Sequence, residues 1–308
     1  MPYGYNGKIL HVNLTNETLE VEEPGERFYR TYMGGSSMGA HYLWKYTPAG
    51  ADPLGPENTL SLIVSVVTGA PVSGQSRVAA TAKSPLSGLV GEAAGGGFWP
   101  AELKFAGFDG IVIRGRAERP LYLWVHDGEA ELRDAAHLWG RFTADVEDAI
   151  WEELGDKRVR VIQCGPAAER GVRFGALINN ANRANARAGM GTVMAAKNLK
   201  AVAVRGTRGV CNIRDPKGFM DAVNAPLQQT IAAKHMLAKI NFPREALVVS
   251  GIYQTLFNGA IKIALLLAAL LFLGIYPDWR LAWFPLGIVS LILAGTALGL
   301  LLTPVGVL

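Results

Sequence analysis

GGGFWPAELKFAGFDGIVIRG (95–115) and ARAGMGTVMAAKNLKAVAVRG (186–206) align without a gap. Each runs from a small-residue loop into a short helix and then into a strand ending in Arg-Gly. Each is also preceded by an apolar strand, a Gly/Pro turn and an arginine-led strand, IVSVVTGAPVSGQSRVAATA (63–82) and VRVIQCGPAAERGVRFGALI (159–178). Few residues are identical, so the likeness is one of pattern. It predicts two quasi-equivalent halves, each offering a glycine-rich helix start.

Outward from this pair, residues 7–22 read as a β-hairpin turning at TNET. Residues 27–46 read as a helix interrupted at Gly34-Gly35. Strands are expected at 60–68, 77–82, 110–114, 159–163, 172–177 and 201–205. Short helices are expected at 98–106 and 190–197, and an amphipathic helix at 143–154. Residues 121–126 and 130–133 form a second hairpin across Asp127-Gly128, a strong turn signal. No regular βαβ rhythm emerges. The fold class is therefore α+β, a two-sheet β-rich domain, rather than a doubly wound sheet.

Charge divides the chain. Residues 1–208 carry 23 basic and 22 acidic side chains. That balance suits a globular domain and argues against a nucleic-acid partner, which needs a one-sided basic footprint. Beyond residue 246 only Lys262, Asp278 and Arg280 are charged. Residues 263–276 and 281–302 are long apolar runs separated by PDWR (277–280), which predicts a transmembrane helical hairpin through residues 246–302. Lys234, Lys239, Arg244 and Lys262 precede the first run, so that side is expected in the cytoplasm. Two buried helices of a globular core are the alternative. The N-terminus lacks a signal-peptide core. The expected location is cytoplasmic, anchored to the inner membrane by the hairpin, or plainly cytoplasmic if the tail is artefactual.

Two clusters carry possible chemistry. In the first, Arg77 precedes TAKSPLSG (81–88) and AAGGG (93–97), just before a helix. Backbone N–H groups at a glycine-rich helix start can cradle a phosphate, and an arginine can grip one bidentately. In the second, NNANRANARAGMG (179–191), Arg183 and Arg187 stand four apart among asparagines and small residues. A tight turn and a solvated loop are the plain alternatives. Two such clusters in matching halves favour a large, multiply phosphorylated ligand between them. Glu102 and Lys104 read as a structural or solvent-facing pair. The histidines show no ligand spacing. Cys164 and Cys211 make no CxxC motif, and a disulfide between them is disfavoured.

GKILHVNLTNETLEVEE (7–23), VTGAPVSGQSRVAATAKSPLSG (67–88), AELKFAGFDGIVIRGRAERPLYLWV (101–125), LRDAAHLWG (132–140) and MGTVMAAKNLKAVAVRG (190–206) together resemble the N-terminal domain of the tungsten-containing aldehyde:ferredoxin oxidoreductases. The resemblance covers about residues 4–230. It implies a metallopterin-binding base of two sheets. It further implies a tungsten or molybdenum ion held by two pterin dithiolenes, a magnesium ion bridging their phosphates, and a [4Fe–4S] cluster. Aldehydes would be oxidised to carboxylic acids, with electrons passing to ferredoxin.

Carried over by motif, Arg77 lies by the pterin phosphates. Ala94, Gly95 and Gly96 offer backbone to one pterin, and Arg183, Ala184, Ala186 and Arg187 serve the other. Main-chain carbonyls of Ala94 and Ala184 would bind magnesium. Ala94 stands where the family often has Asn, and NANRANARAG is less glycine-rich than usual. The family's cluster cysteines belong to later domains and have no counterpart here, so weak or no aldehyde oxidation is expected of this chain alone. A homo-oligomer is left open.

The tail resembles another family. AKINFPREALVVSGIYQTLFNGAIK (238–262) and FPLGIVSLILAGTALGLLLTPVGVL (284–308) are similar to permease subunits of polysaccharide ABC exporters. The expected division is 1–208 for the oxidoreductase-like domain, 209–236 for a linker or truncated second domain, and 237–308 for the permease-like segment. A partial export permease and a non-functional chimera are the alternative functions.

Overall fold

A computed structural model describes residues 3–72, 74–210 and 212–224. The expected membrane hairpin and the permease-like segment lie outside the described residues. Among the described residues no helix is long and apolar enough to cross a membrane.

The chain opens with the hairpin β1 (Ile9–Asn13) and β2 (Thr18–Glu22). Two helices follow, α1 (Glu26–Tyr32) and α2 (Gly35–Tyr46). Gly34, at φ 110°, breaks them apart; a Cβ there would stand 2.7 Å from the Val64 carbonyl oxygen, so only glycine passes. Next come β3 (Leu60–Val64), β4 (Arg77–Lys83), β5 (Val90–Gly96), α3 (Trp99–Phe105) and β6 (Gly110–Arg114). The second half begins with the hairpin β7 (Leu121–His126) and β8 (Glu129–Asp134), whose turn residues Asp127 and Gly128 both have positive φ. It continues through α4 (Thr143–Leu154), β9 (Arg160–Cys164), α5 (Pro166–Glu169), β10 (Leu177–Asn179), β11 (Arg183–Asn185), α6 (Met190–Ala196) and β12 (Leu199–Arg205).

The strands form two six-stranded sheets. The first has the order β2-β1-β6-β3-β4-β5, and the second, read from its other edge, β8-β7-β12-β9-β10-β11. The orders correspond strand for strand. So do the directions: β1 runs parallel to β6 as β7 does to β12, and the other pairings are antiparallel in both. The pattern likeness in the sequence is thus a likeness of topology.

Three apolar clusters hold the layers. Between the sheets, Leu10, Leu62, Val78 and Ile111 of the first meet Leu123, Ile162, Leu177 and Val202 of the second, with Trp99 and Leu103 of α3 and Val193 and Met194 of α6. The outer face of the first sheet is covered by Tyr29, Met38 and Tyr42 of α1 and α2, and that of the second by Val146 and Ile150 of α4. Strands covered on both faces explain the near-continuous burial along β3 and β12.

The structure corrects several expectations. The strand expected at 60–68 ends at Val64, because Ser65 donates its N–H to Thr68 Oγ1 and closes a turn. The strand expected at 172–177 is a turn closed by Gly175 N–H on the Val172 carbonyl, and β10 starts only at Leu177. The small-residue loops contain strands, β5 and β11. Glu102 and Lys104 do not pair with one another. Lys104 is buried against Asp109 at 2.5 Å, and Asp109 also accepts the N–H groups of Asn6 and Gly7. Glu102 bonds Arg205 at 3.1 Å and the Gly206 N–H at 2.8 Å, joining α3 of the first half to the end of β12 in the second. Cys164 is a free, buried thiol, and Cys211 lies outside the described residues.

Lys197 is buried with backbone carbonyls of Pro56 and Gly115 as its partners, and burial lowers its pKa to about 7. The unfolded chain keeps this proton up to the ordinary lysine range. Between these limits only the unfolded state is protonated, so raising the pH favours folding; below about 7 both states bind the proton and the cost is constant. Urea unfolding from pH 7 to 9.5 should show stability rising by up to about 1.4 kcal/mol per pH unit from this group. Lys197→Met should flatten that slope, and an unchanged slope would refute the assignment.

Candidate functional site

β5 and β11 hold corresponding places, each at the edge of its sheet, and they lie against one another. In β5 burial alternates: Gly91, Ala93 and Gly95 are buried, while Val90, Glu92 and Ala94 are exposed. The buried positions are small because the second half comes close beneath them. A Cβ on Gly91 would stand 2.8 Å from Ala188 Cβ, and one on Gly95 only 2.1 Å from Asn185 Oδ1. A Cβ on Gly97, just past the strand, would meet Asn179 Oδ1 at 2.0 Å. Space of this kind is available to glycine alone.

Polar contacts lock the same seam. Asn185 Nδ2 donates to the carbonyls of Ala93 (2.7 Å) and Val78 (3.1 Å). Phe98 donates its N–H to Asn180 Oδ1 at 2.7 Å, and Trp99 Nε1 donates to the Val202 carbonyl at 2.8 Å. Both amide atoms of Asn179 are buried without a protein partner.

The residues singled out from sequence are distributed along this seam. Arg77 opens β4 and pairs in register with Gly96 on β5. Arg183 opens β11 opposite Asn179. Arg77, Ala94, Arg183, Ala184, Ala186 and Arg187 are exposed. None of the three arginines has an acidic partner among the described residues, which leaves their guanidinium forks available to an anion. Gly96 differs from Gly95: the nearest atom to a Cβ there is the Ser76 carbonyl oxygen at 3.7 Å, so its outer side is open. The arrangement is a shelf of two abutting strand edges with exposed backbone and unpaired cations. It suits a flat, anionic ligand.

The family description "Aldehyde ferredoxin oxidoreductase, N-terminal domain" matches residues 9–206. This chain belongs to that family. The tungsten-containing aldehyde ferredoxin oxidoreductase of Pyrococcus abyssi is 42% identical over 227 residues, covering 74% of this chain and 37% of the relative. The enzyme of that name from Thermococcus kodakarensis is 41% identical, with the same coverage. An aliphatic sulfonate oxidoreductase, WOR-like subunit, of Pyrococcus furiosus is 34% identical over 69% of this chain. Among solved structures, the active site complex BamBC of benzoyl coenzyme A reductase with 1,5-dienoyl-CoA superposes with a TM-score of 0.71 at 34% identity, covering 74% of this chain and 35% of that one. The chain spans just over a third of the length of the curated family relatives it matches.

Sequence reasoning missed the asparagine seam. Asn179, Asn180 and Asn185 were visible only as polar residues flanking arginines. Their periodicity carried no sign that they would face glycines 82 to 90 positions earlier. Gly95 and Gly96 give a direct check of the division of labour. Gly95→Ala should lower stability by about 1–3 kcal/mol, as overpacking does. Gly96→Ala should stay within about 0.5 kcal/mol, as expected of open surface. Denaturant midpoints of the two variants measure the difference, and equal losses would contradict the packing described.

Proposed function

We propose that this domain is the tungstopterin-binding base of an aldehyde-oxidising oxidoreductase. The observation that carries the reading is the meeting of two topologically equivalent strand edges rich in small residues, with Arg77 on the strand beside the first and Arg183 and Arg187 on and just after the second, none of the three paired with an acid among the described residues. Arg77 and Arg183 would grip the pterin phosphates, with Arg187 beside them. Backbone of Ala94 and Gly96 would face one pterin, and that of Ala184 and Ala186 the other; Gly95, expected beside them from sequence, is taken up by Asn185 instead. Main-chain carbonyls of Ala94 and Ala184 would hold a magnesium ion, which would offset phosphate charge. The open outer side of Gly96 fits a flat group lying on the strand.

When bound, the tungsten (or molybdenum) bis-pterin supplies two-electron oxidation of an aldehyde to an acid, with electrons leaving through a [4Fe–4S] cluster to ferredoxin. The protein's part here is orientation and charge. Relatives whose names mention aldehydes, aliphatic sulfonate and a coenzyme A thioester share this portion of the fold. That sharing supports a common cofactor base, with the substrate chosen elsewhere. The chain is read as residues 1–208 for the base, 209–236 for a connecting stretch and 237–308 for a separate segment. By itself it should oxidise little or no aldehyde.

The full chain expressed with tungstate and purified should carry tungsten and pterin, read by elemental analysis and by fluorescence of the oxidised pterin. Arg77→Ala combined with Arg183→Ala should cut the tungsten content at least tenfold, since each charge-assisted contact is worth about 1.5–3 kcal/mol. Protein with neither tungsten, molybdenum nor pterin would overturn the reading.

A further inference from the structure

Asn185 is the one buried residue in the stretch 183–187. Its neighbours on both sides are exposed, and it alone turns under β5. One nitrogen, Nδ2, donates to carbonyls on two strands of the other half, Ala93 on β5 and Val78 on β4. Gly95 leaves the room that the amide fills. Each of the three clasped residues adjoins a proposed cofactor contact along the chain: Val78 follows Arg77, Ala93 precedes Ala94, and Asn185 lies between Ala184 and Ala186. Consecutive Cα atoms are about 3.8 Å apart, so fixing one residue nearly fixes the next.

We propose that Asn185 is a positioning residue, a clasp that sets the spacing between the first half's phosphate grip and the second's. The inference rests on the cofactor reading above. The chemistry asks for asparagine. Two carbonyl acceptors need two N–H donors on one short side chain. Aspartate has the shape but no donor when ionised, alanine leaves both carbonyls unmet, and glutamine is too long for the space above Gly95.

Hydrogen exchange of the purified full chain, free of cofactor, tests the clasp, and tungsten content tests its role. Asn185→Asp should speed exchange at least tenfold in residues 90–96 and 183–187, with the β7–β8 hairpin unchanged, because local opening is read segment by segment. The same variant should hold at least tenfold less tungsten than the parent protein. Asn185→Ser, which keeps one donor, should fall between the two and serves if the aspartate variant does not fold. Unchanged exchange would overturn the clasp. Faster exchange with normal tungsten content would reduce Asn185 to a packing role and overturn the positioning claim. A parent protein without tungsten would defeat the cofactor reading instead, and the exchange measurement would still decide whether the clasp exists.

Discussion

The fold depends on one shared interior. Each sheet has an apolar inner face, and each half supplies one helix, α3 or α6, to the space between them. Neither half could keep that face dry alone. Hydrophobic burial of this extent is the main favourable term in folding, but it is not directional, and it does not specify how two sheets align. Alignment comes from particular bonds that cross the interior: Trp99 to the Val202 carbonyl, Glu102 to Arg205 and Gly206, and Asn185 to Ala93 and Val78. Those bonds bring the edges β5 and β11 together, and the candidate site follows from that meeting.

The buried polar groups follow the same economy. Lys104 with Asp109, and Lys200 with Glu169, are buried ion pairs. Asp109 also takes two backbone N–H groups from the segment leading into β1, so its charge orders the chain start. Breaking such a pair by removing one partner is costly, because the survivor keeps its charge without compensation. Cys164 lies deep enough that burial pushes its thiol up to about 12, which keeps it unreactive.

Much of this was legible in the sequence. The hairpins that open each half, the break at Gly34, α3, α4, α6 and the final strand β12 followed from periodicity and turn chemistry. The internal likeness of 95–115 and 186–206 proved to mark equivalent elements. What escaped were the two strands that matter most to the site. β11 is too short to alternate. In β5 the alternation is real, but it is written in Gly91, Ala93 and Gly95, residues poor in strand propensity. The reason for their smallness lies in another part of the chain, at Asn185 and Ala188. Glycines that read as room for a ligand are therefore partly room for the other half, and only Gly96 keeps an open side.

The pairing of Gly95 with Asn185 has a bearing on ancestry. In an isologous dimer every surface must serve as both socket and peg, since a residue and its symmetry mate are the same. Two matching units on one polypeptide escape that rule. One copy could become the socket, keeping glycine, while the other became the peg, keeping asparagine. The seam described is lopsided in this sense, and a lopsided seam can present unlike surfaces to the two ends of a single bound molecule.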